Sequence, residues 1–91
     1  MLRDEQNQCP CCDFYSLARR SAHDVCPVCY WEDDGTDLDR MDEVSSANHI
    51  TLFTARHNFN AFGASDQAAL SLVATADQTS GLRREQRATY H

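Results

Sequence analysis

Five cysteines fall close together in the first third of the chain, as Cys9-Pro10-Cys11-Cys12 and Cys26-Pro27-Val28-Cys29, and thiolate is the strongest ligand chemistry the sequence offers. Each stretch is a C-P-x-C knuckle, and thirteen residues separate the two. Sulfurs at i and i+3 of a tight turn can converge on one ion about 2.3 Å away. Such a turn also aims backbone N–H groups at the sulfurs and spreads their charge. Proline after the first cysteine fixes φ and lowers the entropy cost of the turn. The pattern therefore predicts a closed tetrahedral site in which Cys9, Cys12, Cys26 and Cys29 bind one structural Zn2+. Tetrahedral sulfur also suits iron, which is the alternative metal. Two disulfides are the competing use of the same four residues. Met1 to Asn7 is polar and lacks an apolar h-region, so the expected address is cytoplasmic, where thiols stay reduced and metal is preferred over disulfide.

Cys11 is left over. Ligation by Cys11 in place of Cys12 would leave only an i, i+2 pair with Cys9, a poorer bite. It is read either as a thiol with no task or as a reactive thiol beside the metal, able to sense oxidants. A Cys11–His23 nucleophile is poorly placed inside a knuckle. The four histidines, His23, His49, His57 and His91, are scattered, and no Ser-His-Asp order, phosphate loop or H-E-x-x-H motif is present. No catalytic residue is assigned.

These groups need elements to hold them. A chain of 91 residues is one small domain that benefits from a metal staple. The fold expected is small α+β: a zinc-ribbon-like hairpin with two zinc knuckles, followed by an acidic loop and two short helices. A strand over Phe14–Leu17 would return through Ala22–Val25 around a tip at Arg19-Arg20-Ser21, bringing the knuckles together. Tyr30 and Trp31 should pack over the site. Residues 1–8 read as a polar lead-in, 9–78 as the zinc-stapled domain and 79–91 as a basic C-terminal tail.

Net charge is −6, and four thiolates with Zn2+ would add −2, which disfavours a nucleic-acid partner. No apolar run approaches the length of a membrane span. The stretch from Trp31 to Val44, WEDDGTDLDRMDEV, holds seven acids against one arginine. Its order does not match a calcium loop. It is read as a solvated acidic face or as a surface that steers a basic protein partner through Trp31, Glu32, Asp33, Asp34, Asp37 and Asp39. Glu32 to Asn48 should form an irregular loop. A helix should come next, capped by Thr51, running to about Phe62 and stopped by Gly63, with Leu52, Ala55, Phe59 and Phe62 as its apolar stripe. Ser65 or Asp66 would cap a second helix through Leu70 and Val73 to about Gln78, ended by Gly81.

CPCC, then CPVCYWEDDG, then SSANHITLFTARHNFNAFGAS together resemble the bacterial cysteine-rich CPCC family over about residues 8–75. The resemblance implies a small metal-binding domain with Cys9, Cys12, Cys26 and Cys29 as ligands and Cys11 as the extra cysteine. It implies no established activity, although some members carry labels such as hydrolase. Asp13 stands where the family usually has Gly, and Asp tolerates a left-handed turn. Thr54 stands where a capping-box Glu is usual. The family's proline-containing end has no counterpart from Ala76 onward. The function expected is a structural zinc-binding, protein-interaction module of immunity- or antitoxin-like class. A small thiol- or metal-dependent hydrolase is the alternative, and a nucleic-acid-binding zinc ribbon the second alternative.

Overall fold

The computed structural model describes residues 6–73, 79 and 81–87. Its elements in order are β1 (Asn7–Gln8), β2 (Tyr15–Leu17), a 3-10 turn (Leu38–Arg40), α1 (Leu52–Phe62) and a second 3-10 turn (Gln67–Ala69). β1 and β2 pair antiparallel, Asn7 with Leu17 and Gln8 with Tyr15, across the first knuckle. Val25 bridges Glu32 across the second. Backbone hydrogen bonds between His23 and Asp33 and between Asp33 and Asp24 continue that pairing. Each knuckle thus sits at the tip of its own short hairpin.

This corrects the expected strand pairing. Phe14–Leu17 does not pair with Ala22–Val25, because each flank of a knuckle finds its partner on the other flank of the same knuckle. Part of the lead-in is consequently ordered, as β1. Part of the stretch read as a basic tail is docked too: Tyr15 N–H donates to Arg83 O at 2.8 Å, and Phe14 bridges Arg84 on the open edge of β2.

α1 has the ends expected of it. Thr51 is extended and its Oγ1 accepts from the Thr54 N–H, while Gly63 takes φ 91° and returns its N–H to Phe59 O. Leu52 and Ala55 are buried and Phe59 is half-buried against the cysteines, whereas Phe62 is exposed, so the stripe ends one turn early. Asp66 does cap the next segment, but over 66–73 the chain makes only a 3-10 turn, and Leu70 and Leu72 face outward. A helix continuing to Gln78 lies outside the described residues. The two-strand hairpin, α1 and the cysteine cluster make a small α+β fold.

The core is narrow. The five cysteines, Leu17, Val28, Trp31, Met41, Leu52 and Ala55 form one buried cluster, with Trp31 its largest member. Few aliphatic side chains are available, so cysteine supplies a large share of the buried volume.

Gly63 offers a clean test of the α1 stop. No atom lies within 4 Å of a Cβ added there, so Gly63→Ala meets no clash and feels only the left-handed φ of 91°. The substitution should destabilise the protein by roughly 1 kcal/mol. Urea unfolding should show a lower midpoint with unchanged slope; an unchanged midpoint would mean the cap is not held left-handed.

Candidate metal centre

The two knuckles repeat one construction. In the first, Asp13 N–H donates to Cys9 O and Cys9 N–H to Phe14 O, at 2.9 and 2.8 Å. In the second, Tyr30 N–H donates to Cys26 O and Cys26 N–H to Trp31 O, at 2.8 and 2.9 Å. The residue after each knuckle is left-handed, Asp13 at φ 68° and Tyr30 at φ 69°. Asp visits this region readily, but a bulky Tyr held there is strained, and such strain persists where surrounding structure over-determines it. Here the flanking residues Val25 and Glu32 close the hairpin around it.

The turns bring four sulfurs together. Cys9 Sγ and Cys29 Sγ are 3.7 Å apart, and Cys12 Sγ and Cys26 Sγ are 3.8 Å apart. All four atoms lie within 4.8 Å of one another, and all four residues are fully buried. A regular tetrahedron with metal–sulfur bonds of about 2.3 Å has edges of about 3.8 Å. A disulfide needs about 2.05 Å, and all five cysteines are free thiols. The four expected ligands are therefore gathered at a spacing that could hold a metal ion, and the disulfide reading does not describe the arrangement.

Donors from outside the set support it. Val28 N–H points at Cys26 Sγ at 3.4 Å, the knuckle bond that the motif predicts. Ser16 Oγ lies 3.0 Å from the same sulfur, a contact with no signature in the sequence. Hydrogen bonds from Cys12, Cys29 and Cys9 pull the Cys26 thiol far below its ordinary value. Cys12 is pushed up, chiefly by its hydrogen bond to Cys26, and Cys29 is pushed up, chiefly by burial. Four buried sulfurs cannot all be thiolates unless a cation sits among them.

Cys11 is corrected. It is only 2% exposed, and burial pushes its thiol up. A reactive cysteine needs access and a lowered pKa, and Cys11 has neither. His23 is exposed and pairs with Glu32, Nδ1 to Oε2 at 2.9 Å.

The acidic stretch is largely consumed internally. Trp31 and Asp33 are wholly buried, which removes both from any partner surface. Asp33 accepts from Arg20 Nε at 2.8 Å and from Ser21 N–H at 2.7 Å. Asp34 accepts from Ser45 Oγ at 2.6 Å, and Glu32 pairs with His23. Asp37 is bonded by Leu38 N–H, Arg20 and Arg87. Burial draws its carboxyl upward, but the Leu38 N–H and the two guanidinium groups outweigh that and hold it below the usual carboxylate range. Of the six residues expected to meet a partner, Asp39 alone is freely exposed, and Glu32, Asp34 and Asp37 are half-buried.

Sequence reasoning missed the ion-pair chain beneath this. Arg56 of α1, 5% exposed, grips Asp13 with both Nη atoms at 2.7 and 2.9 Å and donates to Pro10 O at 2.6 Å. Arg87 joins Asp13 to Asp37, and Arg20 joins Asp37 to Asp33. Signs alternate along Arg56, Asp13, Arg87, Asp37, Arg20 and Asp33. The signal for Arg56 was its position, one turn after Leu52 and three residues before Phe59, on the face that had to be buried. Arg56→Ala should destabilise the loaded protein by roughly 3 kcal/mol, since it leaves a buried carboxylate short of its main partner. Arg19→Ala, which breaks the exposed pair with Asp24, should leave the urea midpoint where it is. Equal effects from the two would contradict this ranking.

Comparison with known proteins agrees with the cysteine pattern. No curated protein and no solved structure matches the chain. The family model described as Cysteine-rich CPCC matches residues 7–80, a span that contains both knuckles, the acidic stretch and α1. The chain belongs to the cysteine-rich CPCC family.

Proposed function

We propose that the chain is a structural zinc-binding domain in which Cys9, Cys12, Cys26 and Cys29 hold one Zn2+, and that the surface so stabilised serves as a protein-interaction module. The observation that carries the metal reading is the pair of sulfur separations, 3.7 and 3.8 Å, in a fully buried set of four. Zn2+ imposes no redox chemistry and accepts a closed four-sulfur shell, which suits a staple; iron is the other metal such a shell accepts. Four protein ligands leave no position for water or substrate, and Cys11 is buried, so neither feature a thiol- or metal-dependent hydrolase requires is supported. A net charge of −6 argues against a nucleic-acid-binding ribbon.

The interaction reading rests on what remains outside. Asp39 is exposed, as are Asp42 and Glu43, and they adjoin Val44, which is 67% exposed. Acids beside an uncovered aliphatic residue suit a basic protein partner met in the cytoplasm, and an immunity- or antitoxin-like role is the concrete form of this reading.

Native mass spectrometry of the reduced protein, with alkylation before and after chelation, tests the metal assignment. One zinc, no thiol labelled while it is bound, and five labelled after its removal are expected. Two metals, or labelling of one of the four ligands in the loaded protein, would contradict it. Because each ligand must lose its proton, apparent metal affinity should fall as pH falls.

A further inference from the structure

The run from Leu82 to Arg87 lies extended along the outside of the first knuckle. Tyr15 N–H donates to Arg83 O at 2.8 Å, Glu85 N–H donates to Asp13 O at 3.3 Å, and the Phe14–Arg84 bridge lies between them. Each of its three arginines meets a receptor made by the rest of the chain. The Arg83 guanidinium lies over the Tyr15 ring, 4.3 Å from its centroid. Arg84 faces both Phe14 and Phe59, at 5.4 and 5.7 Å, and its Nε donates to Cys12 O at 2.9 Å. Arg87 reaches Asp13 and Asp37, each at 3.4 Å, and its N–H donates to Asp13 Oδ2 at 2.9 Å.

Four features bear on how this run is held. Residues 83–86 are exposed and only Leu82 and Arg87 are half-buried, so polar contacts more than apolar burial hold the run in place. Its fit is imperfect, since Arg87 Nη2 is buried with no hydrogen-bond partner among the described residues. Without Arg87 the ion-pair chain would hold Asp13, Asp33 and Asp37 against Arg20 and Arg56, leaving one uncompensated carboxylate. The receptor residues also lie within the stretch matched to the family, and the run lies beyond it.

We propose that this face is a docking site for an extended, arginine-bearing peptide of a partner protein, and that residues 82–87 are its resident intramolecular occupant. Main-chain bonds to the β2 edge would give affinity, and two arginines three residues apart, one on the aromatic pair and one on the carboxylates, would give specificity. The inference rests on the interaction-module reading and names its partner chemistry. The tethered run competes at an effective concentration of millimolar order, so a free peptide gains access only when the run is loosened or when it is supplied in comparable amounts.

The test uses the full chain carrying Arg84→Ala and Arg87→Ala, with a fluorescent hexapeptide of sequence LRREQR as probe and zinc content and circular dichroism measured in parallel. The loosened chain should bind the peptide at least about tenfold more tightly than the wild type, and adding Asp37→Asn should reverse about tenfold of that gain. Equal binding of a scrambled peptide of the same composition would reduce the effect to general charge attraction and overturn the proposal. No binding by a chain that keeps its zinc and its helix would overturn the docking site while leaving the metal reading intact. If the variant does not fold, the wild type titrated with millimolar peptide decides the matter. Joint shifts of the Asp13, Tyr15 and Glu85 amides are expected, and their absence would overturn it. A wild-type dimer whose copies exchange residues 82–87 would assign the face to a second copy and overturn the partner reading.

Discussion

Four fully buried sulfurs held within 4.8 Å of one another are the constraint on which the rest of this structure depends. Thiolates at that separation repel strongly in a low dielectric, and thiols there would leave a polar pocket in a core with few aliphatic side chains to spare. A tetrahedral cation would resolve both problems at once. The same knuckle holds Tyr30 left-handed, between buried Cys29 and the Val25–Glu32 bridge. The hairpins themselves are too short to stand alone, two and three residues in β1 and β2, so they depend on the cysteine cluster that their turns build.

Around this centre the charged side chains act as fasteners between elements distant in sequence. Asp13 sits on the first knuckle, Arg56 on α1, Arg20 between the knuckles, Asp33 and Asp37 in the acidic stretch, and Arg87 near the C-terminal end. The chain of pairs uses arginine at every basic position, and the planar guanidinium fork can address two carboxylates where an ammonium cannot do so with the same geometry. The acidity of the stretch after Trp31 is thus partly internal wiring. What it shows to solvent is smaller than its composition implies, and lies at Asp39, Asp42 and Glu43.

The gathering of four cysteines and α1 were legible in the sequence because both rest on local patterns. The i, i+3 spacing with proline defines a knuckle within four residues, and Thr51, the Leu52–Ala55–Phe59 stripe and Gly63 define a helix within thirteen. Strand pairing was not legible, since strands of two or three residues carry no periodic pattern and are placed by the turns they flank. The second helix failed over the described residues for a different reason. Asp66 caps correctly, but Leu70 and Leu72 stay exposed, and a cap with little burial behind it gives only a turn. The internal role of the acidic residues was hidden because their arginine partners lie 13 to 50 residues away, a distance no local pattern reports. The inaccessibility of Cys11 was hidden for a similar reason, as burial is a property of the assembled knuckles.

The central claim is that one metal bound by four sulfurs sets this geometry. X-ray absorption at the zinc edge of the loaded protein measures it most directly. The account predicts a single shell of four sulfurs at about 2.3 Å. A shell in which a nitrogen or oxygen at about 2.0 Å replaces one of the sulfurs would contradict it, and would open a coordination position that this structure closes.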